Sequence, residues 1–536
     1  MLKKTIRLFP HGRAIKSDTG RRLMEVLVDN SIFLRSDCGG KGTCGKCLVN
    51  VISPEKDAGL KTACTLEVTR DMEIEIPETS MLSAHIITKA SVILPDDFLA
   101  SDPGIVDSRA LGIAVDLGTT TIAVYLLNMR ERKILSSLSV KNPQALYGDD
   151  VMSRIGAIGN SPESLVHLQG LAVRAIEWGI NSLLDALDLD GDRLQQMVVV
   201  GNPTMIHIFC GVNPESIGVS PYEPVFKNAR YSSSEKIGFG FREIPVYTLP
   251  QVSGFLGGDI LAATLACDLV NQPFGTLLVD MGTNGELMLR GKNRLFGTSC
   301  ATGPAFEGAS LSSGMQAIPG AIDRVEINPE TGIASLSVIK NSRGKKIHPS
   351  GICGSGVISV VAQLLKTSIM MPDGRLNKAF ASPALEMDGG TPRAYVLAPA
   401  DPFVSSALPG NQGAVTFLQK DIRAVQLGKS ALITGIEFLC RAAGIDFPSK
   451  ILIAGAFGSH LEKEEMLALG MLPPIEPDRI ESIGNAAGTG AIMALCDEKN
   501  REKIEAIAAD VTVVDLALSV EFQDQFIRSL SFPEPV

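Results

Sequence analysis

Two short alternations of apolar and polar residues, KKTIRLFP and RAIKSD, open the chain and predict a hairpin. RRLMEVLVDN then places its apolar residues at helical spacing, and GKCLVNVIS and MEIEIP return to strand-like alternation. Residues 1–80 are thus expected to form one small unit of hairpin, helix and further strands. Residues 81–110 are polar and mixed, with a Pro103-Gly104 turn before the next apolar run, and read as a linker.

Beyond residue 110 the pattern repeats itself. IAVDLGTTTIAVYLLNMRERKILSS surrounds Asp116 and LLVDMGTNGELMLRGKNRLFGTS surrounds Asp280. In each, an apolar strand closes on Asp, then a hydrophobic residue and Gly-Thr lead into a second strand, a polar turn and a third. A second pair, IEWGINSLLDALDLDGDRLQQMVVVGNPTM and IEFLCRAAGIDFPSKILIAGAFGSHL, runs helix, short connection, buried strand and glycine, at Gly201 and Gly455. Such self-similarity predicts a duplicated α/β domain with halves at 111–270 and 271–536.

The repeated hairpin carries chemistry. Gly118 and Gly282 permit tight turns whose backbone N–H groups face a phosphate; Thr119, Thr120 and Thr121 add hydroxyl donors, and Thr283, Asn284 and Gly285 hold the matching places. Asp116 is the first choice for holding Mg²⁺ and Asp280 for polarising the attacking water, with the roles exchangeable. Two such turns, facing each other, clamp the phosphates of ATP. Glu286 either orients that water or is a solvated strand residue. CATGPAFEGA and GICGSGV, the latter with Gly354 and Ser355, either touch nucleotide or line the cleft between halves. Two look-alikes are set aside. LGKS at 427–430 has Arg423 where a Walker A loop has its first glycine, and GGD at 257–259 reads as a packing or interdomain turn.

At 536 residues, 45% apolar and 20% charged, the chain is a multidomain globular protein. Its net charge of −10 argues against nucleic-acid binding. It has no apolar run of the roughly eighteen residues a membrane helix needs, and MLKKTIRLFPHGRAIK lacks a signal peptide's apolar core, so a cytoplasmic protein is expected. Of ten cysteines, six are scattered singly and read as buried thiols. Cys38, Cys44, Cys47 and Cys64 instead fall together as C-x5-C-x2-C followed by a distant fourth. Four thiolates suit a [2Fe–2S] cluster or a tetrahedral zinc ion. Zinc ribbons offer two C-x2-C knuckles where this loop has one, which favours the cluster. Gly39, Gly40, Gly42 and Gly45 let backbone N–H groups turn toward the sulfurs.

The cysteine loop and its flanks resemble the β-grasp of [2Fe–2S] ferredoxins. The paired D-x-G-T turns resemble the acetate and sugar kinase, heat-shock chaperone and actin superfamily, whose two ribonuclease-H-like halves close on ATP; Gly455, Phe457 and Gly458 of AGAFG match its adenosine motif. The fold class is therefore multidomain α/β, a β-grasp ferredoxin domain followed by a duplicated ribonuclease-H-like ATPase. DCGGKGTCGKC, VDLGTTT, NPQALYGDDVMSRI, VVGNPTMIH, VDMGTNGEL, CATGPAFEGA, GICGSGVI, QKDIRAVQLGKSAL and IAGAFGSHL, in that order, resemble the reductive activators of corrinoid-dependent enzymes. That resemblance implies an ATP-hydrolysing, one-electron reductase that returns an inactive Co(II) corrinoid protein of a methyltransferase system to Co(I). It also implies an upstream low-potential electron donor, and leaves a homodimer open. Here about thirty linker residues stand where some relatives carry an extra domain, and the C-terminal tail holds no further cysteine cluster. The alternatives are an activator of another low-potential or radical enzyme, a redox-regulated small-molecule kinase, and a chaperone-like ATPase with a structural cluster.

Overall fold

The fold is described from a computed structural model covering all residues except 1–2, 11, 31, 35–41, 43–44, 46, 78–79, 82–91, 101–109, 309–310, 316, 341–346, 401–413, 456–461, 517–518 and 535–536. The expected hairpin is present as β1 (Lys3–Phe9) and β2 (Arg13–Asp18), followed by the helix Leu23–Asp29 and then β3 (Leu48–Ser53), β4 (Gly59–Thr62) and β5 (Met72–Glu75). Their order in the sheet is β2-β1-β5-β3-β4, with β1 parallel to β5 and the other pairs antiparallel. The helix buries Leu23, Met24, Val26, Leu27 and Val28.

Two six-stranded sheets follow. The first contains β6 (Leu111–Leu117), β7 (Thr121–Asn128), β8 (Lys133–Lys141), β9 (Leu194–Val200), β10 (Arg230–Ser233) and β11 (Pro245–Thr248), in the order β10-β11-β9-β6-β7-β8. The second half begins with β12 (Thr276–Met281), β13 (Gly285–Arg290) and β14 (Leu295–Cys300). It then inserts two three-stranded sheets: β15 (Ala321–Ile327), β16 (Ala334–Val338) and β17 (Gly351–Ile352), then β18 (Leu385–Asp388), β19 (Thr391–Ala398) and β20 (Val415–Leu418). β21 (Lys450–Ala454), β22 (Ile480–Ser482) and β23 (Thr512–Val513) complete a sheet ordered β22-β21-β12-β13-β14-β23. In both sheets the Asp-bearing first strand lies antiparallel to its hairpin partner on one side and parallel to the late strand on the other.

Every residue of β6 is buried, as a strand covered on both faces requires. One of those covers locks the halves together. The helices Gly258–Ala266 and Ala486–Cys496 share a buried cluster with Ala114 and Val198 of the first sheet and Leu278, Met288 and Leu452 of the second. The rim between the sheets is where the two Asp-Gly-Thr turns meet.

Candidate functional site

Each turn is shaped by the loss of a side chain at a close approach. A Cβ on Gly118 would stand 2.6 Å from the Thr121 carbonyl oxygen, and the Gly118 N–H donates to that oxygen at 3.1 Å. The absence of bulk, rather than a left-handed backbone, is what this glycine supplies. The second turn is one residue tighter: Gly282 N–H donates to Asn284 O at 3.0 Å, and Met281 pairs with Gly285 where Leu117 pairs with Ile122. Thr302 Oγ1 supports it by donating to Thr283 O at 3.3 Å.

The turns converge. Thr120 Oγ1 and Thr283 Oγ1, 163 positions apart, lie 3.0 Å from each other. The late glycines close in behind: a Cβ on Gly201 would sit 2.7 Å from Leu117 O, and one on Gly455 would sit 2.7 Å from Met281 O and 3.2 Å from Asp280 Oδ1. Gly455 also has φ +107°, which a side chain would strain. Phe457 and Gly458 lie outside the described residues.

Three carboxylates share this rim. Asp116 is buried, and its Oδ2 accepts from Asn485 Nδ2 at 3.1 Å; the same amide donates to Tyr125 OH at 2.7 Å. Burial, then the nearby Asp116 charge, pushes the Tyr125 hydroxyl far up and keeps it neutral. Asp259, at the start of its helix, is pushed up to about 7 by burial, then by Asp280, with Asp116 adding to the effect. The GGD stretch is thus a packing turn, with Gly257 pressed against Gly201 O and Gly258 against Leu249, and it also delivers a third carboxylate that sequence reasoning missed. Asn485 was missed as well, although its G-N pair before a helix repeats the G-N of Gly201-Asn202. Glu286 is only 7% exposed and stands opposite Asp280 in the β12–β13 ladder, so a solvated strand residue does not describe it. These carboxylates make the rim strongly negative, though among the described residues no group of three or more His, Cys, Asp or Glu is arranged to hold a metal ion by itself.

Gly354 and Ser355 begin a helix packed on β15, with Ser355 Oγ 3.4 Å from Cys353 Sγ; among the described residues neither is hydrogen-bonded to the two turns. The LGKS look-alike anchors the C-terminal segment: the buried Lys429 donates to Ser531 O at 2.6 Å, and burial lowers its pKa to about 8. Cys300, Cys353 and Cys440 are buried and Cys210, Cys267 and Cys496 half-buried, and burial raises the pKa of all six thiols.

In the N-terminal unit Cys47 and Cys64 are buried with their Sγ atoms 3.3 Å apart, too far for a disulfide. Two thiolates on one tetrahedral metal, with metal–sulfur bonds of about 2.3 Å, stand about 3.8 Å apart. The pair therefore fits a single metal with a small adjustment. Gly42 and Gly45 take φ +79° and +63° in the loop beside them. Cys38 and Cys44 lie outside the described residues.

Comparison with known proteins places these features in one lineage. The model of the C-terminal domain of RACo, the ASKHA domain, matches residues 275–535; the RACo middle region matches 111–272; the 2Fe-2S iron–sulfur cluster binding domain matches 6–69. The corrinoid activation enzyme RamQ of Eubacterium limosum is 30% identical, across 93% of this chain and 94% of its own. This chain belongs to the RACo family. A second relative, the [Co(II) methylated amine-specific corrinoid protein] reductase of Methanosarcina barkeri, is 25% identical across 78% of this chain and 77% of its own. A solved reductive activator for corrinoid, iron-sulfur protein superposes with a TM-score of 0.72 at 26% identity, covering 99% of this chain and 98% of that one. The expected ferredoxin domain and actin- and sugar-kinase-like domain are those of the RACo architecture. Among the described residues no helix is long and apolar enough to cross a membrane.

Proposed function

We propose that this RACo-family chain is an enzyme that reductively activates a corrinoid protein, using ATP. Its substrate is the stranded Co(II) corrinoid of a methyltransferase system, which gains one electron to become Co(I). The observation that carries the reading is the pair of features on one chain: opposed Asp-Gly-Thr turns meeting at Thr120 and Thr283, and a cysteine pair poised for one iron in a ferredoxin domain.

In this reading residues 1–80 are the electron-carrying domain, 81–110 the linker, and 111–270 and 271–536 the ATPase halves. Cys38, Cys44, Cys47 and Cys64 hold the [2Fe–2S] cluster, which when bound supplies a one-electron donor. The N–H groups and hydroxyls of Gly118 to Thr121 and Gly282 to Gly285 take the phosphates. Gly455, Phe457 and Gly458 take the adenosine. Asp116, with Asp259 beside it, holds Mg²⁺, while Asp280 accepts the proton of the attacking water and Glu286 orients it. Gly354 and Ser355 line the cleft.

ATP acts by binding one arrangement of the halves better than another, the only way a ligand moves such an equilibrium. The buried helices shared by both sheets make that arrangement a property of the whole ATPase. Closure then favours the docked corrinoid protein, and hydrolysis resets the cycle. Outside the ferredoxin domain Cys210, Cys267, Cys300, Cys353, Cys440 and Cys496 are free thiols, which suits a reducing cytoplasm. A low-potential donor would reload the ferredoxin domain. Anaerobic mixing of the reduced protein with a Co(II) corrinoid protein, with and without Mg-ATP, tests the reading. ATP-dependent growth of Co(I) absorbance is expected, and its absence across several corrinoid partners contradicts it.

A further inference from the structure

Two of the family-like stretches, NPQALYGDDVMSRI and VVGNPTMIH, reach the rim of the site only through Gly201. In the fold both converge on the back of the first phosphate turn. Their centre is Arg154, which is fully buried on the helix Val151–Asn160. Its guanidinium spreads across four acceptors: Nε donates to Gly148 O at 3.1 Å, Nη1 to Gln144 Oε1 at 3.0 Å and Met205 Sδ at 2.9 Å, and Nη2 to Thr119 O at 2.6 Å. Asn142 works alongside, with Nδ2 donating to Gly118 O at 2.9 Å and its backbone N–H to Thr120 O at 2.8 Å. Asn202 Nδ2 donates to Thr119 Oγ1 at 2.9 Å.

These bonds fix which way the turn faces. In a trans peptide the carbonyl of one residue and the N–H of the next point in opposite directions. With the Gly118 and Thr119 carbonyls drawn back to Asn142 and Arg154, the N–H groups of Thr119 and Thr120 are aimed to the other side. A second consequence is electrostatic. All four hydrogen-bond acceptors of Arg154 are neutral, and the carboxylates of Asp149 and Asp150 favour its charge without accepting any of these bonds. Burial lowers its pKa to about 10, still well above neutrality, so the group stays charged. A buried cation is costly unless an anion balances it, and the turn it supports is where an anion would bind.

We propose that Arg154 is the positioning residue of the nucleotide site, holding the first turn in its phosphate-facing orientation and placing beneath it a buried positive charge that the nucleotide's phosphates balance. The assignment rests on the ATP reading above. It predicts a loss that scales with phosphate, which a merely structural arginine would not produce. Titrating full-length wild type, Arg154→Lys and Arg154→Met with Mg-ATP, Mg-ADP and adenosine tests it. ATP affinity is expected to fall at least about tenfold in Arg154→Met, ADP less, and adenosine by under about twofold, with Arg154→Lys recovering part of the ATP loss. Equal losses for ATP and adenosine, or full ATP affinity in Arg154→Met, overturn the role. Should neither variant fold, hydrogen exchange on wild type decides: ATP should slow exchange in the 144–157 segment and adenosine should not, and equal protection overturns it. Wild type that binds ATP while Arg154→Met binds it equally well removes only this inference. Wild type that binds no nucleotide removes the ATP reading, and this inference with it.

Discussion

His207 is a buried imidazole whose two nitrogens are both used. Nδ1 donates to Pro203 O at 2.7 Å, and Nε2 accepts from the Val225 N–H at 3.0 Å, so the ring is held neutral. Burial lowers its pKa from 6.5 to about 4. Because the unfolded chain binds the proton more readily, this histidine's contribution to stability is complete above about pH 6.5 and is lost as pH falls toward 4. The full loss is on the order of 3 kcal/mol. Denaturant midpoints from pH 7 to pH 5 should therefore fall less steeply in His207→Gln than in wild type, and parallel curves would contradict the assignment. At the rim, the roles proposed for the carboxylates can be tested separately from the cluster. Asp280→Asn should abolish ATP-dependent reduction while leaving the iron–sulfur absorbance intact, whereas Cys64→Ser should remove that absorbance; loss of the cluster spectrum in Asp280→Asn would contradict the division of labour. Asp116 and Asp280 were legible in the sequence because each closes an apolar strand before Gly-Thr. Asp259 and Asn485 were not, since their meaning lies in contacts with residues far along the chain.

Among the elements, the duplication was readable because it is written in backbone requirements. Gly201 and Gly455 each follow a buried parallel strand and each let the chain pass a carbonyl at the end of its neighbour, Leu117 O and Met281 O. Any side chain there forces two strands apart. Gly201→Ala should destabilise the protein by about 1–3 kcal/mol, seen as a lower thermal midpoint, and an unchanged midpoint would show that the close approach is not a constraint. The short strand β4 and the two inserted three-stranded sheets were not anticipated. Their alternation is brief and partly exposed, and their pairing is set by the sheets around them rather than by their own pattern. Glu286 shows the same limit. On sequence alone it was either the residue that orients the attacking water or a solvated strand residue, and its burial opposite Asp280 is visible only in the fold.

Across the whole molecule, the contacts of the ferredoxin domain with the ATPase among the described residues include an ion-pair bridge and an aromatic pair. Asp29 is bridged by Arg21, just before its helix, at 2.6 Å and by Arg174 of the helix Glu163–Ala186 at 2.8 Å, and Phe33 meets Trp178 edge-on at 5.9 Å between ring centres. Partly exposed ion pairs contribute only about 0–1 kcal/mol each, so this bridge is the part of the contact that salt weakens most readily. Arg174→Glu sets two like charges together and should free the domain. Trp178 is the chain's single tryptophan, so its emission should shift to the red and become more accessible to quencher; an unchanged spectrum would contradict the docked contact. Electron carrier and ATPase matter together only if ATP governs delivery to cobalt. The direct measurement is Co(I) absorbance in an anaerobic mixture of the reduced protein and a Co(II) corrinoid protein, followed before and after Mg-ATP is added. The account predicts Co(I) growth that starts with ATP and is missing in Asp280→Asn; Co(I) forming equally fast without ATP, or not at all with it, would contradict it.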